Sequence, residues 1–284
     1  MTKNATRLEY QAACHFTSEK LAELFNSAFD GYVGGSFTFT AETFQNFIAS
    51  QGVNLVLSQV VLLESEPAGL ALIARRGWSS RLAAMGIVPE AKYQGVGTAF
   101  MKELLTQARA RADRMFELEV IEQNSAGVRL YEKLAFKKLR RLLGFTLEHP
   151  EGALSCELEP VDIVEAASFI TQHAPTDLPW QVGAFNLALA GEPSKAFKVD
   201  SGIIILSDPG ADSIRLHNLT VARDKQKQGV GTKIMQSLFA MYPGKTWLIP
   251  ALCPEEYQSF FEEQGFKKGD LSQFQMRLNL WQAV

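Results

Sequence analysis

Gln94-Gly95-Val96-Gly97-Thr98 returns letter for letter as Gln228-Gly229-Val230-Gly231-Thr232. The offset, 229 − 95 = 134, is close to half of the 284-residue chain. Outward from the glycines, Ile87-Val88 stands against Val221-Ala222, Met101 against Met235 and Leu104 against Leu238. Further on, Leu130-Tyr131-Glu132-Lys133-Leu134-Ala135-Phe136 answers to Phe260-Phe261-Glu262-Glu263-Gln264-Gly265-Phe266, at an offset of 260 − 130 = 130. Self-similarity on this scale reads as a duplicated domain. The boundary is expected at His149-Pro150-Glu151-Gly152, where turn residues separate two strand-like runs, giving domains 1–150 and 151–284.

The elements around each glycine loop follow one order. Val60 to Leu63, Pro67 to Arg75 and Leu82 to Val88 read as strands, the last running into the loop. Val96, Phe100, Leu104 and Ala108 then recur at helical spacing, which predicts a helix from Gly95 to Asp113. Met115 to Ile121 alternates as a strand, with Phe116, Leu118 and Val120 on one side and Glu117 and Glu119 on the other. A short helix over Ser125 to Leu134 and a strand over Phe136 to Leu147 complete the copy. The second copy repeats the order: strands Gly202 to Leu206 and Ile214 to Val221, helix Gln228 to Met241, strand Thr246 to Ile249, helix Glu255 to Glu263, strand Phe274 to Leu280.

Composition bounds what such a chain does. Hydrophobic residues make up 46% and charged residues 21%, as in globular proteins. The formal net charge of −3 argues against nucleic acid as a partner. The opening residues lack the apolar core of a signal peptide, and apolar runs such as Ala68 to Ala74 are too short for a bilayer span, so no membrane partner and a cytoplasmic location are expected. Cys14, Cys156 and Cys253 lie far apart, with no paired spacing and no patterned histidines, so neither a metal site nor a disulfide framework is expected.

The glycine loops carry the chemistry. A helix start presents unpaired backbone N–H groups and the positive end of its dipole, and glycine lets a bulky anion approach. Lys92 and Lys102 flank the first loop; Arg223, Lys225, Lys227 and Lys233 surround the second, against Asp224 alone. Both loops suit a phosphate. A Walker loop would need Gly-Lys-Ser/Thr, and a dinucleotide fingerprint a third glycine; neither copy has either.

Val88-Pro89 followed by Lys92-Tyr93-Gln94-Gly95-Val96-Gly97 resembles motif A of the GNAT (GCN5-related N-acetyltransferase) superfamily, Gln/Arg-x-x-Gly-x-Gly/Ala. Leu118-Glu119-Val120, Asn124 and Leu130-Tyr131-x-x-x-Ala135-Phe136 resemble its motif B, with Lys92, Gly127 and Ala135 as departures from the usual residues. Two copies make the chain similar to tandem GNAT proteins. The resemblance implies an α/β (α+β) fold class: two tandem domains, each a mixed, mostly antiparallel sheet with a splayed parallel pair and flanking helices. It also implies an N-acetyltransferase with acetyl-CoA as cosubstrate and no metal. The acceptor would be a primary amine, a small amine or a peptide N-terminus, which attacks the thioester directly.

The resemblance also distributes roles. The diphosphate would sit on Lys92, Gln94, Gly95, Val96, Gly97 and Thr98, and in the second copy on Gln228, Gly229, Val230, Gly231 and Thr232. The cofactor arm would run along Ile87 and Val88 and touch Asn124, and a backbone N–H after Val88 would polarise the thioester carbonyl. Tyr131 would protonate the departing thiolate. Glu119, or else Glu122, would take the amine's proton, each alternatively being a solvated strand-end carboxylate. The second copy departs where chemistry happens: Phe261 stands at the tyrosine position, Pro254 at the asparagine, and Thr246-Trp247-Leu248-Ile249-Pro250 has no strand glutamate. Little or no transfer is expected there, Tyr257 being the one displaced alternative. The aromatics from Phe25 to Phe47 are read mainly as core, with Tyr32 and its glycine turn at the acceptor rim. The competing reading is a non-catalytic acyl-CoA-binding or scaffold protein, and the oligomeric state is left open.

Overall fold

The computed structural model describes residues 7–153 and 156–281; residues 1–6, on which the expected lack of a signal peptide rests, lie outside the described residues. The chain forms two compact units. Unit one is Met1–Leu139 with Phe274–Val284, and unit two is Arg140–Gln273.

In unit one the sheet runs β1 (Leu8–Ala12), β2 (Gln59–Leu63), β3 (Glu66–Arg76), β4 (Ser79–Ile87), β5 (Met115–Ile121) and then the final strand of the chain, β12 (Lys267–Asn279). β1 to β4 pair antiparallel, whereas β4 and β5 are parallel. Side chains on a strand alternate between faces, and the cores obey that rule. Val61, Ala71 and Ile73 pack with Phe100, Leu104 and Ala108 of helix α3 (Val96–Ala110), and with Val128 and Tyr131 of α4 (Ser125–Lys133). Their neighbours Val60, Leu70 and Leu72 pack on the other face with Leu21 and Phe25 of α1 (Ser18–Ala28) and Phe44 of α2 (Ala41–Ser50).

Unit two repeats the plan. Its strands lie in the order β6 (Lys137–Glu148), β11 (Thr246–Pro254), β10 (Ser213–Val221), β9 (Gly202–Leu206), β8 (Lys195–Val199) and β7 (Glu159–Val161), with β10 and β11 the parallel pair. Ile204, Leu206 and Ile214 pack on α7 (Val230–Met241), and Ile203 and Ile205 on α5 (Ile163–His173) and α6 (Ala184–Leu187). The helix α8 (Gln258–Glu263) completes the copy. The fold class expected from the resemblance, mixed sheets with a parallel pair and flanking helices, is the one observed.

The division at residue 150 is corrected. The chain leaves unit one after Leu139, and residues 274–284 return to it. Residues 142–148 of β6, expected to close the first sheet, pair instead with β11, while Met276 and Leu278 join the core of unit one. β6 and β12 are each the last strand of one copy, so their side chains offer similar apolar alternation and each fills the other's slot. β11 is longer than the four residues expected, because it continues through an irregularity between Ile249 and Cys253.

Candidate active site

Four of the long helices start on a side chain that accepts a first-turn N–H: Thr17 for α1, Thr40 for α2, Asn124 for α4 and Asp162 for α5. α3 and α7 do not. Their N-caps are Gly95 and Gly229, both in the left-handed region, with no side-chain cap. The residue two places earlier is left-handed as well: φ is 64° at Tyr93 and 81° at Gly95, and 59° at Lys227 and 80° at Gly229. Such alternation turns successive N–H groups into one concavity, an anion cradle at the positive end of a helix. The repeated glutamine holds the loop rather than facing a ligand: Gln94 Nε2 donates to the Glu90 carbonyl (2.7 Å) and Gln228 Nε2 to the Asp224 carbonyl (2.8 Å). Val96 is buried in the core, and Gly97 and Thr98 are half-buried at the mouth.

The cradle opens beside a gap. β4 and β5 pair only from Ser79–Met115 to Leu82–Leu118, although β4 continues to Ile87 and β5 to Ile121. A bulge between Leu72 and Ile73 opposite Ala83 marks where β4 turns away. From Ala83 to Ile87 the β5-facing backbone therefore has no strand partner, and a polar ligand arm can pair with it. One detail differs from expectation: Pro89 follows Val88 and carries no N–H, and the Val88 N–H itself donates to the Ala68 carbonyl (2.9 Å). An oxyanion donor does not sit there.

At the end of β5 three side chains converge. Asn124 Oδ1 accepts from the Gly127 N–H (3.0 Å), capping α4, and the Asn124 side chain is hydrogen-bonded to the Tyr32 phenol. Tyr131 is buried on α4, and burial together with nearby Tyr32 pushes its phenol far above the ordinary value of 10.0, so the proton stays on at neutral pH. The loop carrying Tyr32 lies over β5 because residue 34 is glycine; a Cβ there would meet Ile121 Cδ1 at 2.6 Å and a Tyr32 ring carbon at 2.8 Å. The other aromatics of this region form a packed cluster around Phe25, which stacks on Phe29 at 4.3 Å and meets Phe37, Phe39, Phe44 and Phe47 edge-on.

The strand glutamates are not solvated. Glu119 receives Arg81 Nη2 at 2.7 Å, with the side chains only 4% and 2% exposed, and Arg81 Nη1 donates to Gln51 at 3.1 Å. Glu117 is held by Arg277 at 2.6 Å. A carboxylate whose oxygens already receive a guanidinium has those lone pairs engaged and is poorly placed to take a proton from an acceptor. Glu122, half-buried just beyond β5, sits nearer the three converging side chains in the chain. The arginines that neutralise these glutamates lie far from them in sequence, so only the fold brings them together.

In unit two β10 and β11 pair over Ser213–Thr246 to Arg215–Leu248 and then part. Leu248 and Pro250 stand where Glu117 and Glu119 stand (248 − 117 = 250 − 119 = 131). The gap holds a half-open cavity of about 130 Å³. Among its lining residues are His217, Asn218, Thr220, Cys253, Tyr257 and Phe261. His217 was not singled out in the sequence, since its counterpart is Ala83 (217 − 134 = 83). Among the described residues no cluster could hold a metal ion, and no helix is long and apolar enough to cross a membrane.

Comparison with known proteins agrees with this geometry. The sequence model of the acetyltransferase (GNAT) family matches residues 19–136. No curated protein matches the chain in sequence. Among solved structures, a GCN5-related N-acetyltransferase from Sphaerobacter thermophilus superposes at a TM-score of 0.69 with 13% identity, covering 98% of this chain and 97% of that one. A putative acetyltransferase from Pyrococcus horikoshii gives 0.65 with 18% identity, covering 98% and 91%. A tandem GNAT protein from the clavulanic acid biosynthesis pathway gives 0.63 with 11% identity, covering 98% and 100%. At these identities the likeness is one of fold.

Proposed function

We propose that this chain, which belongs to the acetyltransferase (GNAT) family through its residues 19–136, moves an acetyl group from acetyl-CoA to a primary amine in unit one. The observation that carries the reading is a conjunction: the uncapped first turn of α3 opens at the point where β4 and β5 part. A diphosphate on the N–H groups of Val96, Gly97 and Thr98, assisted by Lys92, puts an extended arm along Ala83 to Val88. Its far end then meets Asn124 and Tyr131.

An alkylammonium acceptor has a pKa near 10.4 and must lose a proton before its lone pair can attack. Glu122, two residues before Asn124 and just beyond the end of β5, is the group we assign to that step, directly or through one water; Glu119, paired with Arg81, positions β5 against β4. As the C–S bond breaks, Tyr131 gives its proton to the sulfur. A phenol kept neutral by burial suits a donor that works in this one step. Tyr32, tied to Asn124, walls the acceptor side. Unit two offers a second cradle, on Gln228 to Thr232, for another molecule of the same donor.

The test is thiol release from acetyl-CoA across a panel of amines and peptide N-termini, with acetyl-CoA binding followed by calorimetry. Gly97→Glu places a carboxylate in the cradle, and we expect affinity in unit one to fall at least 100-fold. Intact binding in that variant places the cofactor elsewhere. Binding without thiol release on any acceptor favours the non-catalytic acyl-CoA-binding reading.

A further inference from the structure

We propose that unit two holds a second acyl-transfer centre, in which His217 accepts a proton, Tyr257 donates one, and the acceptor is a weakly basic aromatic amine. The inference rests on the reading above only for the class of donor, an acyl thioester of CoA.

Both side chains line the same cavity between β10 and β11. His217 comes from the strand that runs into the second cradle, and Tyr257 from the turn just before α8. Tyr257 lies 261 − 257 = 4 residues, one helical turn, ahead of Phe261, which lines the cavity but has no proton to give. The motif tyrosine is thus missing while a phenol is still delivered to the gap. The cavity's volume, about 130 Å³, is near the roughly 150 Å³ of an apolar cavity that accepts benzene. Ala174, Leu178, Val182 and Leu252 make much of its wall apolar.

The size and apolar wall of the cavity select a small aromatic acceptor, and the charge state of its lining is compatible with one. Burial and neighbouring Arg215 lower His217 below its usual 6.5, so the imidazole is neutral at pH 7 and can take a proton. Burial and Glu256 push the Cys253 thiol up to about 12, which leaves it protonated and unable to carry the acyl group. Burial, Glu256, Cys253 and Asp177 raise Tyr257 against the opposing effect of Arg140, so it stays a phenol. A neutral imidazole has a lone pair to offer. It can accept the proton that an already neutral arylamine sheds on bonding to carbon. The nitrogen lone pair attacks the thioester carbonyl and the C–N bond forms. The C–S bond then breaks, the nitrogen's proton passes to an imidazole nitrogen of His217, and the phenolic proton of Tyr257 passes to sulfur. Solvent returns a proton from His217 to Tyr257, giving an amide and a free thiol with no other reactant.

The experiment uses the full chain, acetyl-CoA, and two probes, benzylamine and aniline, with thiol release as readout. The ratio of aniline to benzylamine turnover is insensitive to the fraction of protein folded. We expect it to rise at least 30-fold in Tyr131→Phe, and to fall at least tenfold in both His217→Gln and Tyr257→Phe. A wild type that acetylates benzylamine but not aniline overturns the second centre and spares the first. Turnover of aniline alone does the reverse. A ratio that stays unchanged in His217→Gln and Tyr257→Phe also overturns the proposal.

Discussion

The two glycine loops share one backbone, yet the strand ends they serve have diverged. Tyr93 and Gly95, and Lys227 and Gly229, adopt the same left-handed pair, and each glutamine ties back to the same carbonyl. On β5 unit one carries two buried carboxylates, Glu117 and Glu119, paired with arginines, and it places Tyr32 over the end of that strand. Unit two has Leu248 and Pro250 there, and a cavity lined by neutral polar groups. Duplication has preserved the part that meets a phosphate, whose shape is the same for every ligand bearing one. It has released the part that meets the reacting atoms. Backbone cradles are indifferent to side-chain drift; proton donors and acceptors are not.

The sharpest probe of that contrast is Arg81 against Arg215. The two correspond (215 − 81 = 134), but Arg81 is buried on Glu119 whereas Arg215 is exposed. Removing one partner of a buried pair strands the other charge, so Arg81→Met should destabilise by about 3–5 kcal/mol. Arg215→Met should stay within about 0.5 kcal/mol. Chemical denaturation of both variants checks this, and equal losses would mean that the glutamate pair is not what separates the units.

Tyr131→Phe comes next. Loss of the proton donor should lower kcat about 100-fold on an alkylamine, equivalent to about 2.7 kcal/mol, while acetyl-CoA affinity stays nearly constant. Because burial raises this phenol above 10.0, the protonated form should persist throughout the neutral and mildly alkaline range. The wild-type kcat profile should therefore show no fall owed to Tyr131 below pH 10. An unchanged kcat in Tyr131→Phe removes it as the acid.

Gly95→Ala and Gly229→Ala test the shared half of the comparison. Each puts a Cβ on a left-handed residue, at a cost of about 1–2 kcal/mol, and the two losses should agree. A large difference would show that the loops match in shape but not in strain.

These contrasts were unevenly legible in the sequence. The repeat, the glycine loops and nearly every element could be read because they rest on local periodicity and on residues with one conformational meaning. The exchange of the closing strands could not. β6 and β12 present the same alternation to either sheet, and nothing local decides which edge each will meet. Glu119 was equally opaque, since its strand position suggests a free carboxylate and only the fold brings Arg81 against it. His217 had no counterpart to draw attention to it, and Tyr257 was visible only as a displaced phenol. The buried charges and the second cavity are tertiary facts, set by side chains distant in sequence.

The smallest effect expected concerns Tyr32, which unit one places at its gap. Its phenol is hydrogen-bonded to the Asn124 side chain, which also caps α4 beneath Tyr131. Tyr32→Phe keeps the ring packed edge-on against Phe29 at 5.2 Å and deletes only that bond. A hydrogen bond of this kind contributes about 0.5–1.5 kcal/mol net, which is roughly 2- to 13-fold. If Tyr32 walls the acceptor side, the loss should appear in KM for the amine and leave KM for acetyl-CoA unchanged. If it acts instead by steadying Asn124 under Tyr131, kcat should fall and the amine KM should not. The split between the two constants therefore says whether unit one has gained an acceptor wall or a second support for its acid, a distinction that stability measurements on the same variant would not make.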